Sequence, residues 1–315
     1  MSQTSTPVTG ENADEALPRP TSFADVKGWF WPVDQLLFDW FLGHQRDTDP
    51  DGRGDLLELG AYLGKSAIFT ASYLRDGEEY TVCDLWDSPA PDDPNSAEMN
   101  RSYATLTRRA FEANYLSFHD ELPRMVQAPT SVITSKVRPG SCRFVHVDAS
   151  HLYEHVHGDI AAAKVLLRPE GIVSFDDFRA EHCPGVSAAV WGAVATSGLK
   201  PVVITGTKLY GTWGDPAPLT AALLDFLADR TDLWHGVEEV AGRPLIRIKG
   251  NKATPPPHPK SRHEPLPPPE PTPEPAPPAV TPPPLPVRPR PSRTRRLAKD
   301  LLPPVVTRAL TSRRP

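Results

Sequence analysis

Cysteine is scarce: Cys83, Cys142 and Cys183 are the only three in 315 residues. That is too few, and too scattered, for a disulfide framework or a cysteine-based zinc knuckle. Reduced thiols in a cytoplasmic setting are the expectation. No run approaches 18 apolar residues, so no membrane-spanning helix is expected. Residues 1–20 hold no apolar stretch either, which excludes a secretory signal in that segment and leaves a flexible leader. An excess of positive charge is missing too. The net charge is −5, and residues after Lys252 carry 11 Lys and Arg against 4 Asp and Glu. With +7 there, the rest of the chain carries −12, a poor match for nucleic acid.

What is abundant is proline. There are 39, and 22 of them follow Lys252. A segment of this composition cannot bury enough apolar surface to offset its ordering entropy. Residues 251–315 are therefore expected to be a disordered, polyproline-type tail. Its basic, leucine-bearing end is a candidate for weak contact with a partner or a membrane surface. Residues 21–250 remain for one α/β domain. The sequence gives no indication of oligomeric state.

Within that domain, short apolar runs alternate with helical patterns. A packing helix is expected at residues 33–42 and strands at 55–59, 80–83 and 124–127, with helices at 65–74 and 97–115 between them. Then come a strand at 143–147, a helix at 153–167, a stop at 168–171, a strand at 172–175 and a helix at 186–197. Two last strands, 201–205 and 208–213, read as a hairpin. Alternation of this kind implies a mostly parallel sheet covered on both faces.

The first expected crossover reads Glu58-Leu-Gly60-Ala-Tyr62-Leu-Gly64-Lys-Ser66. Gly60 and Gly64 enclose three residues, one short of a phosphate-wrapping P-loop. Tyr62 stands where a dinucleotide fold needs a second glycine for its pyrophosphate. The remaining pattern, E-x-G-x-x-x-G, resembles the first motif of class I methyltransferases, unless it is only a glycine turn. Asp84 ends the next strand, where a carboxylate can accept ribose hydroxyls.

The acidic tips are the sharper signal. Asp148 ends one strand, and Asp176-Asp177 ends the next after a single helix. A parallel strand–helix–strand unit brings such tips to one edge. Close carboxylates repel, so a hard divalent cation such as magnesium is the natural partner. A solvated strand end, or one protonated carboxyl, are the other options.

The segment HVDASHLYEHVHGDIAAAKVLLRPEGIVSFDDF resembles the cation-dependent O-methyltransferases, with their macrolide-sugar, cephalosporin-pathway and catechol-type members. The resemblance implies a Rossmann-like fold of class I with a mostly parallel seven-stranded sheet. It implies that S-adenosylmethionine lies against Glu58, Gly60, Ala61, Tyr62, Ser66, Asp84, Leu85, Trp86 and Asp148. It further implies magnesium on Asp148, Asp176 and Asp177, and His151 as the general base.

The expected reaction is methylation of a hydroxyl on a sugar, glycoside or other small natural product. Loops 88–103 and 179–186 are expected to shape the acceptor pocket. Two other functions fit the same residues. One is a metal-independent methyltransferase; the other is a non-catalytic scaffold presenting the Pro-rich tail.

Overall fold

The computed structural model describes residues 17–102, 106–250 and 252–265, without the side chains of 98–102. Seven α-helices and nine strands are found among them. In chain order they are α1 (Pro32–Thr48), β1 (Asp55–Leu59), α2 (Lys65–Ala71), β2 (Tyr80–Asp84), α3 (Asp93–Ser102), α4 (Arg108–Leu116), β3 (Arg124–Gln127) and β4 (Cys142–Val147). There follow α5 (Tyr153–Leu166), β5 (Leu167–Phe175), α6 (Pro184–Thr196), β6 (Lys200–Ile204), β7 (Leu209–Thr212), α7 (Ala217–Ala228), β8 (Trp234–Val240) and β9 (Arg243–Lys249).

All nine strands form one sheet in the order β3-β2-β1-β4-β5-β7-β6-β9-β8. Strands β1 to β5 are mutually parallel, and β7 runs antiparallel between β5 and β6. The strand order reverses between β1 and β4, and α/β sheets bind ligands at such a reversal. Strand β4 is buried at every position, as a central parallel strand should be. Its charged residue, Arg143, survives burial because its guanidinium donates to Glu78, Gln45 and two backbone carbonyls.

Two apolar clusters cover the faces. One gathers Leu37, Phe38 and Phe41 of α1 against Phe144 and Tyr210. The other gathers Ile160 and Ala163 of α5 and Val190 of α6 against Val145 and Val173. Each fully buried Leu or Phe of this kind contributes about 1.5–3 kcal/mol.

Several expectations need correction. The sheet has nine strands, because β8 and β9 add a hairpin whose turn, Ala241-Gly242, takes positive φ at both residues. The expected helix over 97–115 is two helices; the second starts where the Thr107 side chain accepts from the Ala110 amide. Residues 168–171 continue β5 through a register shift instead of stopping the chain.

The compact unit extends to Pro265, past the expected boundary at 250. Residues 252–265 lie along the domain as a strap. The Ser261 hydroxyl donates to Pro20 O at 2.6 Å, and the Arg262 amide to Ser117 O at 2.8 Å. His258 pairs with Gln35 at 2.7 Å and packs on Phe23 at 4.5 Å between ring centroids. Prolines suit such a strap, since an extended chain held by side chains and carbonyls has little use for its missing amides. Of the expected leader (1–20) and tail (251–315), residues 1–16, 251 and 266–315 lie outside the described residues. No described helix is long and apolar enough to cross a membrane.

Candidate active site

The carboxyl ends of β1, β2, β4 and β5 share one rim, and a cavity of about 1060 Å³ opens there. That volume suits a nucleoside-sized ligand with a second small molecule beside it.

The glycine turn is built around the tip of β4. Gly60 has φ +81°, and a Cβ on it would meet the Asp148 carbonyl oxygen at 2.1 Å. The Asp148 amide in turn donates to Leu59 O at 2.7 Å. Only glycine allows that approach. Asp84 fixes the same turn from the other side. Its Oδ2 accepts from the amides of Ala61 (2.7 Å) and Tyr62 (3.0 Å), and its Oδ1 from that of Trp86 (2.8 Å). Burial still pushes the Asp84 carboxyl above its ordinary range.

Of the residues expected around a cofactor, Gly60, Ala61, Tyr62 and Ser66 line the cavity, as do Asp84, Leu85 and Asp148. Glu58 and Trp86 lie behind it. Glu58 is buried and accepts from the Ser66 hydroxyl at 2.5 Å and from the Tyr80 hydroxyl, with His146 Nδ1 at 3.0 Å. Its role is to brace the floor under the turn. Trp86 is 1% exposed and packs on Phe111 at 5.3 Å, because its positive φ turns the ring into the core.

Asp148, Asp176, Asp177 and His151 all line the same cavity. The Asp176 amide donates to Val147 O at 3.0 Å, which locks the tips of β4 and β5 together. The ligating atoms nevertheless fall into two groups among the described residues. Asp148 and Asp176 gather with His146; Asp177 gathers with His151, His182 and Cys183. Asp177 takes φ +51°, and its Oδ2 lies 3.0 Å from His151 Nε2.

Lys208, on the turn from β6 to β7, is the residue that sequence reasoning missed. It is buried, forms an ion pair with Asp176 Oδ2, and places Nζ 3.1 Å from His146 Nε2. Burial opposes its charge, but Asp176, Asp148 and Asp34 together raise its pKa. Burial likewise opposes ionisation of Asp176, yet Lys208 and then His146 hold its carboxyl below the usual range. Burial and the charge of Asp176 push the Asp148 carboxyl well up. Lys208 also opposes the shift of Asp148, but does not overcome it. Asp34 of α1 completes the network by accepting from Thr205 (2.9 Å), Thr207 (2.5 Å) and Tyr210 (2.8 Å).

Two exposed indoles, Trp29 and Trp31, stand at the cavity mouth, with Trp29 stacked on Tyr62 at 5.6 Å. The loop expected to shape the acceptor side supplies Pro91 and Asn95, and the loop after β5 supplies His182.

Residues 57–178 match a family model described as "Methyltransferase domain". No curated protein matches the sequence. Solved structures of similar fold include the O-methyltransferase NovP, 17% identical, which covers 57% of this chain and 79% of that one at a TM-score of 0.45. CalS11, a TDP-rhamnose 3'-O-methyltransferase of calicheamicin biosynthesis, is 16% identical over 58% of this chain and 80% of its own, at a TM-score of 0.40. An O-methyltransferase from Bacillus cereus in complex with SAH is 14% identical over 60% and 85%, at a TM-score of 0.38. The matched residues run from β1 to the tip of β5, so the stretch that builds the rim is the one that resembles a methyltransferase domain.

Proposed function

We propose that the chain methylates a hydroxyl oxygen of a sugar, glycoside or other small natural product. One observation carries this reading: His151 and three aspartates face the same cavity as the glycine turn and Asp84. S-adenosylmethionine supplies a methyl group on a sulfonium, ready for in-line displacement. The protein must then align an oxygen and remove its proton.

His151 is the base in this reading. Its Nε2 is engaged by Asp177, which fixes the ring and favours the imidazolium formed when the proton arrives. Asp84 and the amides it holds form the seat for the ribose. The Gly60 turn leaves room for the amino-acid end of the cofactor.

Whether the donor set fits a divalent cation can be judged from its charges. Lys208 answers Asp176, and His151 engages Asp177, but the ionised form of Asp148 is left disfavoured. A hard cation would relieve that excess: Asp148 and Asp176 stand together as oxygen ligands for magnesium, and Asp177 would have to turn from His151 to join them. When bound, magnesium lowers the pKa of a hydroxyl as a Lewis acid. A second reading, metal-independent transfer, is favoured by Lys208, a cation already built into the site. Transfer of labelled methyl to a panel of glycosides and phenols, with and without chelator, tests both. Loss in chelator with rescue by magnesium supports the first reading; full transfer in chelator supports the second. No transfer to any hydroxyl argues against O-methylation.

A further inference from the structure

The pair His151–Asp177 has two neighbours that methyl transfer does not use, His182 and Cys183. Each of these four residues offers one ligating atom, and the four atoms lie within 4.8 Å of one another. Asp177, His182 and Cys183 come from the segment joining β5 to α6, and His151 from the loop after β4. The imidazoles of His151 and His182 meet edge to face, with centroids 5.7 Å apart at 80°. Cys183 is 1% exposed and His182 is exposed, so the cluster runs from the wall of the cavity into the core.

We infer that these four side chains form a binding site for a borderline-soft divalent transition metal, with zinc as its natural occupant. Two imidazole nitrogens, one carboxylate oxygen and one sulfur are zinc ligand types, and four of them make a closed tetrahedral shell. A sulfur and two imidazoles select against magnesium and calcium and for zinc and its late first-row neighbours. Zinc bonds of roughly 2.0–2.3 Å place ligand atoms about 3.3–3.8 Å apart. His151 and Asp177 already stand at 3.0 Å. From an upper bound of 4.8 Å, a contraction of about 1–1.5 Å at most completes the shell.

This grouping is separate from that of Asp148 and Asp176, where Lys208 pairs with Asp176. Cys183 alone of the three cysteines joins a ligating cluster among the described residues. Zinc binding would release the Cys183 thiol proton to solvent and leave both imidazoles neutral. Because His151 and Asp177 are shared, a bound zinc excludes both a free His151 base and a magnesium ion that uses Asp177. Only that consequence rests on the proposed reaction; the site itself does not.

The test uses the full-length protein, stripped with chelator and titrated with cobalt(II) as a spectroscopic stand-in for zinc. Expected are tetrahedral d–d bands and a thiolate-to-cobalt charge-transfer band, saturating at one equivalent and displaced by zinc. Cys183→Ser should abolish the charge-transfer band and weaken zinc binding by more than about tenfold, and His182→Ala should weaken it similarly. S-adenosylmethionine binding to both variants, measured by calorimetry, confirms that they are folded. Absence of the thiolate band, or zinc affinity unchanged in both variants, overturns the site. Cobalt bands in a protein that fails to bind S-adenosylmethionine would sink the methyltransferase reading and leave the metal site standing.

Discussion

His151 Nε2 lies 3.0 Å from Asp177 Oδ2, and the two residues come from loops at the ends of neighbouring parallel strands. The contact turns a histidine at a loop surface into an oriented one. It holds the ring at the cavity where, in the proposed reaction, a hydroxyl would lose its proton. His151→Ala should therefore cut turnover by ~10²–10⁴-fold while leaving S-adenosylmethionine binding intact. Single-turnover kinetics beside calorimetry checks both halves; unchanged turnover rejects the base.

The glycine turn is expected to tolerate nothing larger. Gly60→Ala places a methyl 2.1 Å from the Asp148 carbonyl and strains a residue at φ +81°. We expect a loss of about 1–3 kcal/mol from backbone strain alone, together with weakened cofactor affinity. Urea unfolding and calorimetry on the purified variant measure the two effects. Wild-type values for both would contradict the packing described.

Much of this site could be read from residue order. Asp84, Asp148 and Asp176 each end an apolar run, and a carboxylate at a strand tip is a pattern visible without coordinates. Gly60 was legible as a turn, but the tight approach of Asp148 that requires it was not. Lys208 was hidden because nothing local marks it. It sits in a hairpin turn, and its partners His146 and Asp176 lie 62 and 32 positions earlier in the chain. His146 and Asp34 fall inside the expected strand 143–147 and helix 33–42, with nothing local to single them out. The β8–β9 hairpin did carry a signal, alternating residues around Ala241-Gly242. The strap was obscured by composition, since proline-rich sequence gives no hint that Ser261 and Arg262 will find carbonyls on the domain.

Removing the buried cation should be costly. Lys208→Met leaves the largely buried Asp176 charged without its partner, a change worth up to ~3–5 kcal/mol. Denaturant unfolding at neutral pH tests this. A variant as stable as the parent would show that Asp176 needs no internal counter-charge.

Asp159 of α5 supplies a pH dependence of stability. Burial raises its carboxyl to about 6, and Oδ2 has no hydrogen-bond partner. The folded pKa exceeds the unfolded one, so the unfolded chain binds fewer protons and stability falls as pH rises from about 4 to 6. Asp159→Asn should then stabilise the protein at pH 7 by on the order of 2–3 kcal/mol, with little effect near pH 4. Unfolding midpoints at the two pH values decide it, and an equal effect at both would contradict the assignment.

The strap also has a measurable role. Ending the chain after residue 251 removes the bonds to Pro20 and Ser117 and uncovers Phe23. A fall of several °C in melting temperature is expected, since about 2–4 °C accompanies each kcal/mol in a domain of this size. An unchanged midpoint would show that the strap adds no stability.

The claim on which the account depends is that a sulfonium nucleoside sits at the rim where β1 and β4 part. Calorimetric titration of S-adenosylmethionine into the wild-type chain and into Asp84→Ala measures it directly. One-site binding by the wild type, lost or greatly weakened in the variant, is the result predicted. No heat of binding to the wild type, or equal affinity in both proteins, would contradict it.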